Sequence, residues 1–198
     1  MGVWHVEGMQ NEAIVASGIY YYETQNISES HLSFREAVCE PNYEQNDNMG
    51  VEAAYGMQDG SDLNQERGYV VTQAGRAIAF PNTMQHRVNP FSLVDKSQPG
   101  WRKILVFFLC DPNQRVKSTE DVPPQQVEWF QQELRALSRF SPRAMPSALV
   151  EIITSHLDWP MSKEVAEAHR EGLMQERKVF VDHHNDVVFE REFSLCEH

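Results

Sequence analysis

The apolar positions change period once along the chain. Up to about residue 112 they come in short runs or in alternation, the pattern of strands. Residues 13–22 form a β-rich apolar run ending in Tyr20, Tyr21 and Tyr22. His31 to Val38 alternates as a half-buried strand does. Shorter strands follow at 68–72, 75–80 and 85–88, the last two closed by Pro81-Asn82 and Asn89-Pro90. Residues 101–109 are the most apolar strand and stop at Asp111-Pro112. Residues 41–66 are polar and rich in Asn, Gln, Asp and Gly, which predicts a long loop able to close over a site as a lid.

From Pro123 the period is helical. Pro123-Pro124 can open a helix, and Val127, Phe130, Leu134 and Leu137 then make an i, i+3/i+4 stripe. A second helix is expected over 146–156. A third runs from Ser162 to about Val179, after the stop at Pro160. Val187 to Phe193 reads as a last strand. Strands followed by helices predict one domain over 1–198, mostly β with C-terminal helices. Its strand core would be 1–112, with helical packing over 123–180 and the last strand at 187–193. The architecture expected is a jelly roll, a double-stranded β-helix of cupin-like form.

Composition narrows the partners. The 198 residues suit one domain, and 17 basic against 29 acidic residues give a net charge of −12. Such a chain is a poor ligand for a phosphate backbone or an anionic membrane, so neither nucleic acid nor membrane is expected. No apolar run approaches the ~20 residues of a membrane span, and the first residues do not read as a signal peptide. Cys39, Cys110 and Cys196 are odd in number and widely spaced, which suits a reducing, cytoplasmic interior.

The chemistry begins at His5-Val6-Glu7. In a strand, residues i and i+2 share a face, so imidazole and carboxylate converge. His86 lies just past the turn between two strands and can supply a third donor. Two His and one carboxylate are the facial triad of non-haem Fe(II), leaving three adjacent coordination positions open. Arg102 follows at the head of the apolar strand. Alternation puts it on the face of Ile104, Val106 and Phe108, and a buried guanidinium needs an anionic partner. The far carboxylate of 2-oxoglutarate would meet that need bidentately. Asn11, Tyr20, Tyr22 and Asn89 stand near these positions and are candidate substrate contacts. Glu12 could add a ligand. His183-His184 has no third donor placed beside it and is read as no metal site; Arg87 should point away from His86 and be structural.

His5, Glu7, His86 and Arg102 match, in order and type, the pattern of the Fe(II)/2-oxoglutarate-dependent oxygenases, which the chain resembles. Phe80-Pro81-Asn82, His86 to Pro90 and Gly100-Trp101-Arg102 look much like the prolyl-hydroxylase subset. Trp4 to Met9, Ile19 to Tyr22, Arg102 to Pro112 and Val122 to Gln126 are similar to the C-terminal part of a fungal family of unknown function, DUF4246. The resemblance implies O₂ activation on iron and attack on a C–H bond of a small organic substrate, such as a secondary metabolite. The chain departs from the oxygenase pattern in using Glu where Asp is commoner. It also opens four residues before the first ligand, where a core strand normally precedes it. The missing pairing would come from the C-terminal strand, from a second copy, or not at all; since an open edge invites pairing, a homodimer is a candidate. Two other readings stay open. His5, Glu7, Glu12 and His86 also echo a cupin, which would make a metal-dependent isomerase, epimerase or 2-oxoglutarate-independent dioxygenase. The chain could also be a non-catalytic binding subunit.

Overall fold

The computed structural model describes residues 2–44, 46–123, 125–138 and 145–195. Pro124, Cys196 and His198 fall outside them. The described residues form two three-stranded antiparallel sheets and four α-helices. The chain divides into two compact units, Met1–Arg115 with Lys178–His198, and Val116–Arg177. The single domain expected over 1–198 is therefore built as two units. Helix and strand take similar shares of the chain, so "mostly β" holds for the first unit and not for the whole.

The strands are β1 Ile14–Gln25, β2 His31–Ala37, β3 Asn64–Val71, β4 Arg76–Pro81, β5 Met84–Val88 and β6 Trp101–Cys110. One sheet runs β4-β1-β6 and the other β3-β2-β5. In the first, Ser17, Ile19 and Tyr21 lie opposite Phe80, Ile78 and Arg76 on β4, and opposite Phe108, Val106 and Ile104 on β6. These residues share one face because directly paired positions do. In the second sheet Leu32 pairs with Val88, and Phe34 with His86. Ile19, Tyr21, Leu32, Phe34 and Phe80 form one buried cluster, so the two sheets enclose a common core. The Phe34 and Phe80 rings meet edge-on with centroids 5.0 Å apart.

The other face of the first sheet is apolar and exposed. Tyr20, Leu105, Phe107 and Leu109 all lie on it, and β6 is an edge strand. A bulge at Tyr22 shifts the register so that Thr24 pairs with Arg102. Arg102 thereby keeps the inner face of Ile104, Val106 and Phe108, as alternation predicts.

Two expectations within the first unit are corrected. Residues 41–66 are not one loop: they contain α1 Asn48–Tyr55, N-capped by the Asp47 carboxylate and ended by Gly56 at φ 65°, together with the start of β3. Positive φ is what a glycine supplies at a helix end. Val51 and Leu63 from this segment bury against Phe193, and Tyr43 packs edge-on upon Phe193 at 5.5 Å. The segment is thus fastened to the C-terminal tail rather than poised as a free lid. Nor is 187–193 a strand. Asn185–Phe189 is a π-helical turn, and beyond it, among the described residues, only Glu192 forms a bridge, to Asp62. Phe189 and Phe193 are each buried on their own, so apolarity here marks two anchors and not a pleated face.

The second unit holds α2 Val127–Ser138 and α3 Ser147–Ser155. Glu128 in the first turn of α2 and Arg135 in its last complement the helix dipole. The Phe130 ring meets Trp159 edge-on at 5.3 Å. The last helix, α4 Lys163–His184, runs five residues past the expected end near Val179 and so belongs to both units. No helix among the described residues is long and apolar enough to cross a membrane.

Candidate metal centre

His5 and His86 face each other across a two-residue antiparallel bridge. The His5 N–H donates to the His86 carbonyl at 3.2 Å, and the His86 N–H to the His5 carbonyl at 3.0 Å. Their rings come within 4.4 Å. Glu7, two residues beyond His5, turns its carboxylate to the same point, with Oε1 3.1 Å from His86 Nε2. One donor atom from each of His5, Glu7 and His86 lies within 4.8 Å of the others. The three predicted donors are therefore brought together by the His5–His86 bridge and the bend at Glu7.

The tautomer of His5 suits a cation. His5 Nδ1 lies 2.8 Å from the Val3 carbonyl, an acceptor only, so this nitrogen carries the proton and Nε2 keeps a lone pair. His86 is buried, and its Nδ1 has no hydrogen-bond partner. Two imidazoles and a carboxylate are a donor set that fits Fe(II), and also Zn(II) or Mn(II). The residues present thus fit the expected ion.

Side chains outside the triad hold it in place. Asn82, in the β4–β5 turn, accepts the Glu7 N–H through Oδ1 at 2.8 Å. Its Nδ2 donates to the carbonyls of Glu7 and Ile14, both at 2.9 Å. On the other side, the Trp4 ring lies between the guanidinium groups of Arg35 and Arg87, at 4.9 and 4.4 Å. The Trp4 carbonyl accepts from Asn185 Nδ2 at 3.2 Å, and Gln85 Nε2 donates to Asn185 Oδ1. Arg35 also donates to Gln85 at 2.7 Å and pairs with Glu190. The C-terminal π-turn therefore pins the residue just before His5. None of this was visible in sequence spacing, because Trp4 and Asn185 are 181 positions apart. Arg87 does point away from the triad, as expected.

Arg102 donates from Nη1 to Ser30 Oγ at 2.7 Å and lies over the rings of Phe91 and Tyr21, at 5.0 and 5.7 Å. No carboxylate among the described residues pairs with it. It borders an open pocket of 530 Å³ lined by Ile27, Phe91, Leu93 and Trp101. Burial pushes the Tyr21 phenol up, against the lowering effect of the Arg102 charge. Phe80, which touches His86 at 4.9 Å, sits opposite Ser17 on β1, four residues from Tyr21. The triad and Arg102 thus flank the same core, against β1 positions four residues apart.

Tyr20 and Tyr22 point outward and are 40% and 49% exposed. Tyr21 is the inward residue. The run is apolar on both faces, so alternation alone did not fix its phase. Asn11 is exposed on the short 3₁₀ turn Gln10–Glu12, whereas Met9 and Gln10 line a pocket beside Glu7. Asn89 is occupied in tying down β2: its Oδ1 accepts from Ser33 Oγ at 2.9 Å, and its N–H donates to the His31 carbonyl. Glu12 does not join the triad; its carboxylate accepts the Met9 N–H at 2.7 Å. His183 and His184 end α4.

A family model described as a protein of unknown function (DUF4246) matches residues 1–133. No curated protein and no solved structure matches the chain.

Proposed function

The chain belongs to the DUF4246 family, of unknown function, so its chemistry must come from its own residues, and from them we propose a non-haem Fe(II) oxygenase dependent on 2-oxoglutarate. Its substrate would be a small organic molecule attacked at a C–H bond. The observation that carries this reading is the convergence of His5, Glu7 and His86 within 4.8 Å. We read the two sheets around one core as the halves of a double-stranded β-helix, with the triad at one end.

His5, Glu7 and His86 would hold the iron, and Arg102 would hold the far carboxylate of 2-oxoglutarate. Iron with that co-substrate supplies O₂ activation for C–H hydroxylation. The protein's part is to fix three donors on one face and to keep a cation facing the core without a carboxylate of its own. That guanidinium, with no carboxylate partner among the described residues, favours this reading over a cupin-like isomerase, in which Arg102 has no fixed duty.

The test is anaerobic Fe(II) binding to the wild-type chain and to His86→Ala. One iron per chain is expected in the wild type, with affinity lowered at least about 100-fold in the variant. Stoichiometric iron retained by a folded His86→Ala would end the triad assignment. Succinate formed from 2-oxoglutarate, dependent on iron and lost in Arg102→Ala, would separate the oxygenase from the isomerase.

A further inference from the structure

A pocket of 440 Å³ opens beside Glu7, within the first unit. Its volume lies in the range of small-molecule sites. Four separate stretches meet there: the turn after Glu7, Asn82 from the β4–β5 turn, Asp111 and Gln114 after β6, and Phe180 and His184 from α4. Three properties define what would fit it.

First, its charge is one-sided. No Lys or Arg lines it, while Asp111 and Glu7 do. Glu7 already faces His86 at 3.1 Å and is committed to the metal centre. Asp111 is different: Oδ1 accepts from the backbone and side chain of Asn113, at 2.8 and 3.0 Å, while Oδ2 has no partner among the described residues. A half-buried carboxylate oxygen facing a pocket is an acceptor awaiting a donor. Second, part of the wall is apolar. Met9, Ile14 and Phe180 contribute to it, and the Phe180 ring stacks on His184 at 5.9 Å. Third, burial, and then the neighbouring His183, push the His184 imidazole down from its ordinary value, so at neutral pH it adds no charge. It offers one donor and one acceptor instead.

We infer that this pocket is the substrate site and that it takes a small molecule with an apolar body and a protonated amine, the amine on Asp111 and the body against Phe180 and His184. The assignment as substrate site rests on the metal reading above, because it is the wall shared with Glu7 that brings a ligand to the iron. The selectivity itself does not depend on metal. A carboxylate-bearing ligand is excluded by the two acidic groups and the absence of a cation.

The experiment uses the full chain without metal and three matched probes: benzylamine, benzyl alcohol and benzoate, titrated calorimetrically at pH 7.5. Benzylamine should bind saturably, benzyl alcohol more weakly, and benzoate not at all. Asp111→Asn should weaken benzylamine about tenfold or more, the size expected for a hydrogen bond to a charged group. Gln114→Lys, which sets a cation in the pocket wall at an exposed position, should do the same if Asp111→Asn fails to fold. Fe(II) binding by the wild-type chain is read in a separate anaerobic titration, so failure of the metal reading and failure of this one are told apart. Benzoate binding as tightly as benzylamine would overturn the proposal. So would benzylamine affinity unchanged in both pocket variants, or no benzylamine binding.

Discussion

Asn82→Ala should damage the metal centre without touching a ligand. The side chain makes three hydrogen bonds in a half-buried turn, two of them to the backbone of Glu7. At roughly 1 kcal/mol each, their loss comes to about 3 kcal/mol of stability, or nearer 2 where water re-enters the turn. The second consequence is local. Glu7 supplies one of three donors, and its backbone would lose both partners that fix where the carboxylate points. Loss of such outer support typically lowers metal affinity 10–100-fold. Urea denaturation of the metal-free proteins would measure the first effect as a lower midpoint at unchanged slope. Anaerobic competition for Fe(II) with a chromophoric chelator would measure the second, in buffer where both proteins are folded. If Asn82→Ala lost the stability but bound iron as the wild type does, Asn82 would be a turn residue only. If stability were unchanged as well, the hydrogen bonds to Glu7 would have no energetic weight.

Two further outcomes follow from the same geometry. Asn185→Ala removes the donor to the Trp4 carbonyl, so Fe(II) affinity should fall about tenfold although residue 185 touches no ligand; equal affinities in the same competition assay would refute a role for the C-terminal turn in placing His5. Tyr21 holds its phenolic proton more tightly when folded than when unfolded, because burial outweighs the opposing charge of Arg102. Its contribution to stability is therefore complete below about pH 10 and lost as the pH rises through the raised value. Tyr21→Phe should show a shallower alkaline loss of stability than the wild type, and parallel pH profiles would contradict this.

Much of the strand plan could be read from periodicity. Each expected strand before Pro112 corresponds to one of β1 to β6, because alternation and bounding Pro, Gly and Asn residues mark short strands well. The triad was legible from residue types and spacing, although Glu7 reaches the site from a bend after the His5 bridge and not from a strand. Arg102 kept its predicted face even across the bulge at Tyr22, since the bulge lies on β1 and not on β6. The misses have common physical causes. In Tyr20-Tyr21-Tyr22 both faces are aromatic, so the sequence carries no phase, and only packing against Leu32 and Phe80 selects Tyr21. Val187 to Phe193 has strand-like residue types, yet its shape is set by two buried anchors, Phe189 and Phe193. The Asn82 and Asn185 clamps depend on contacts between residues far apart in the chain, and a lone Asn in a polar stretch gives no sign of them.

The proposed centre is a three-donor iron site with a separate arginine that anchors the co-substrate. The most direct test is anaerobic titration of the Fe(II)-loaded chain with 2-oxoglutarate, monitored through the weak visible charge-transfer band of the chelate. A saturable band in the wild type, and its loss at the same concentrations in iron-loaded Arg102→Ala, is the predicted result. Iron bound at one per chain with no band at any 2-oxoglutarate concentration would contradict it and leave a metal site of another chemistry.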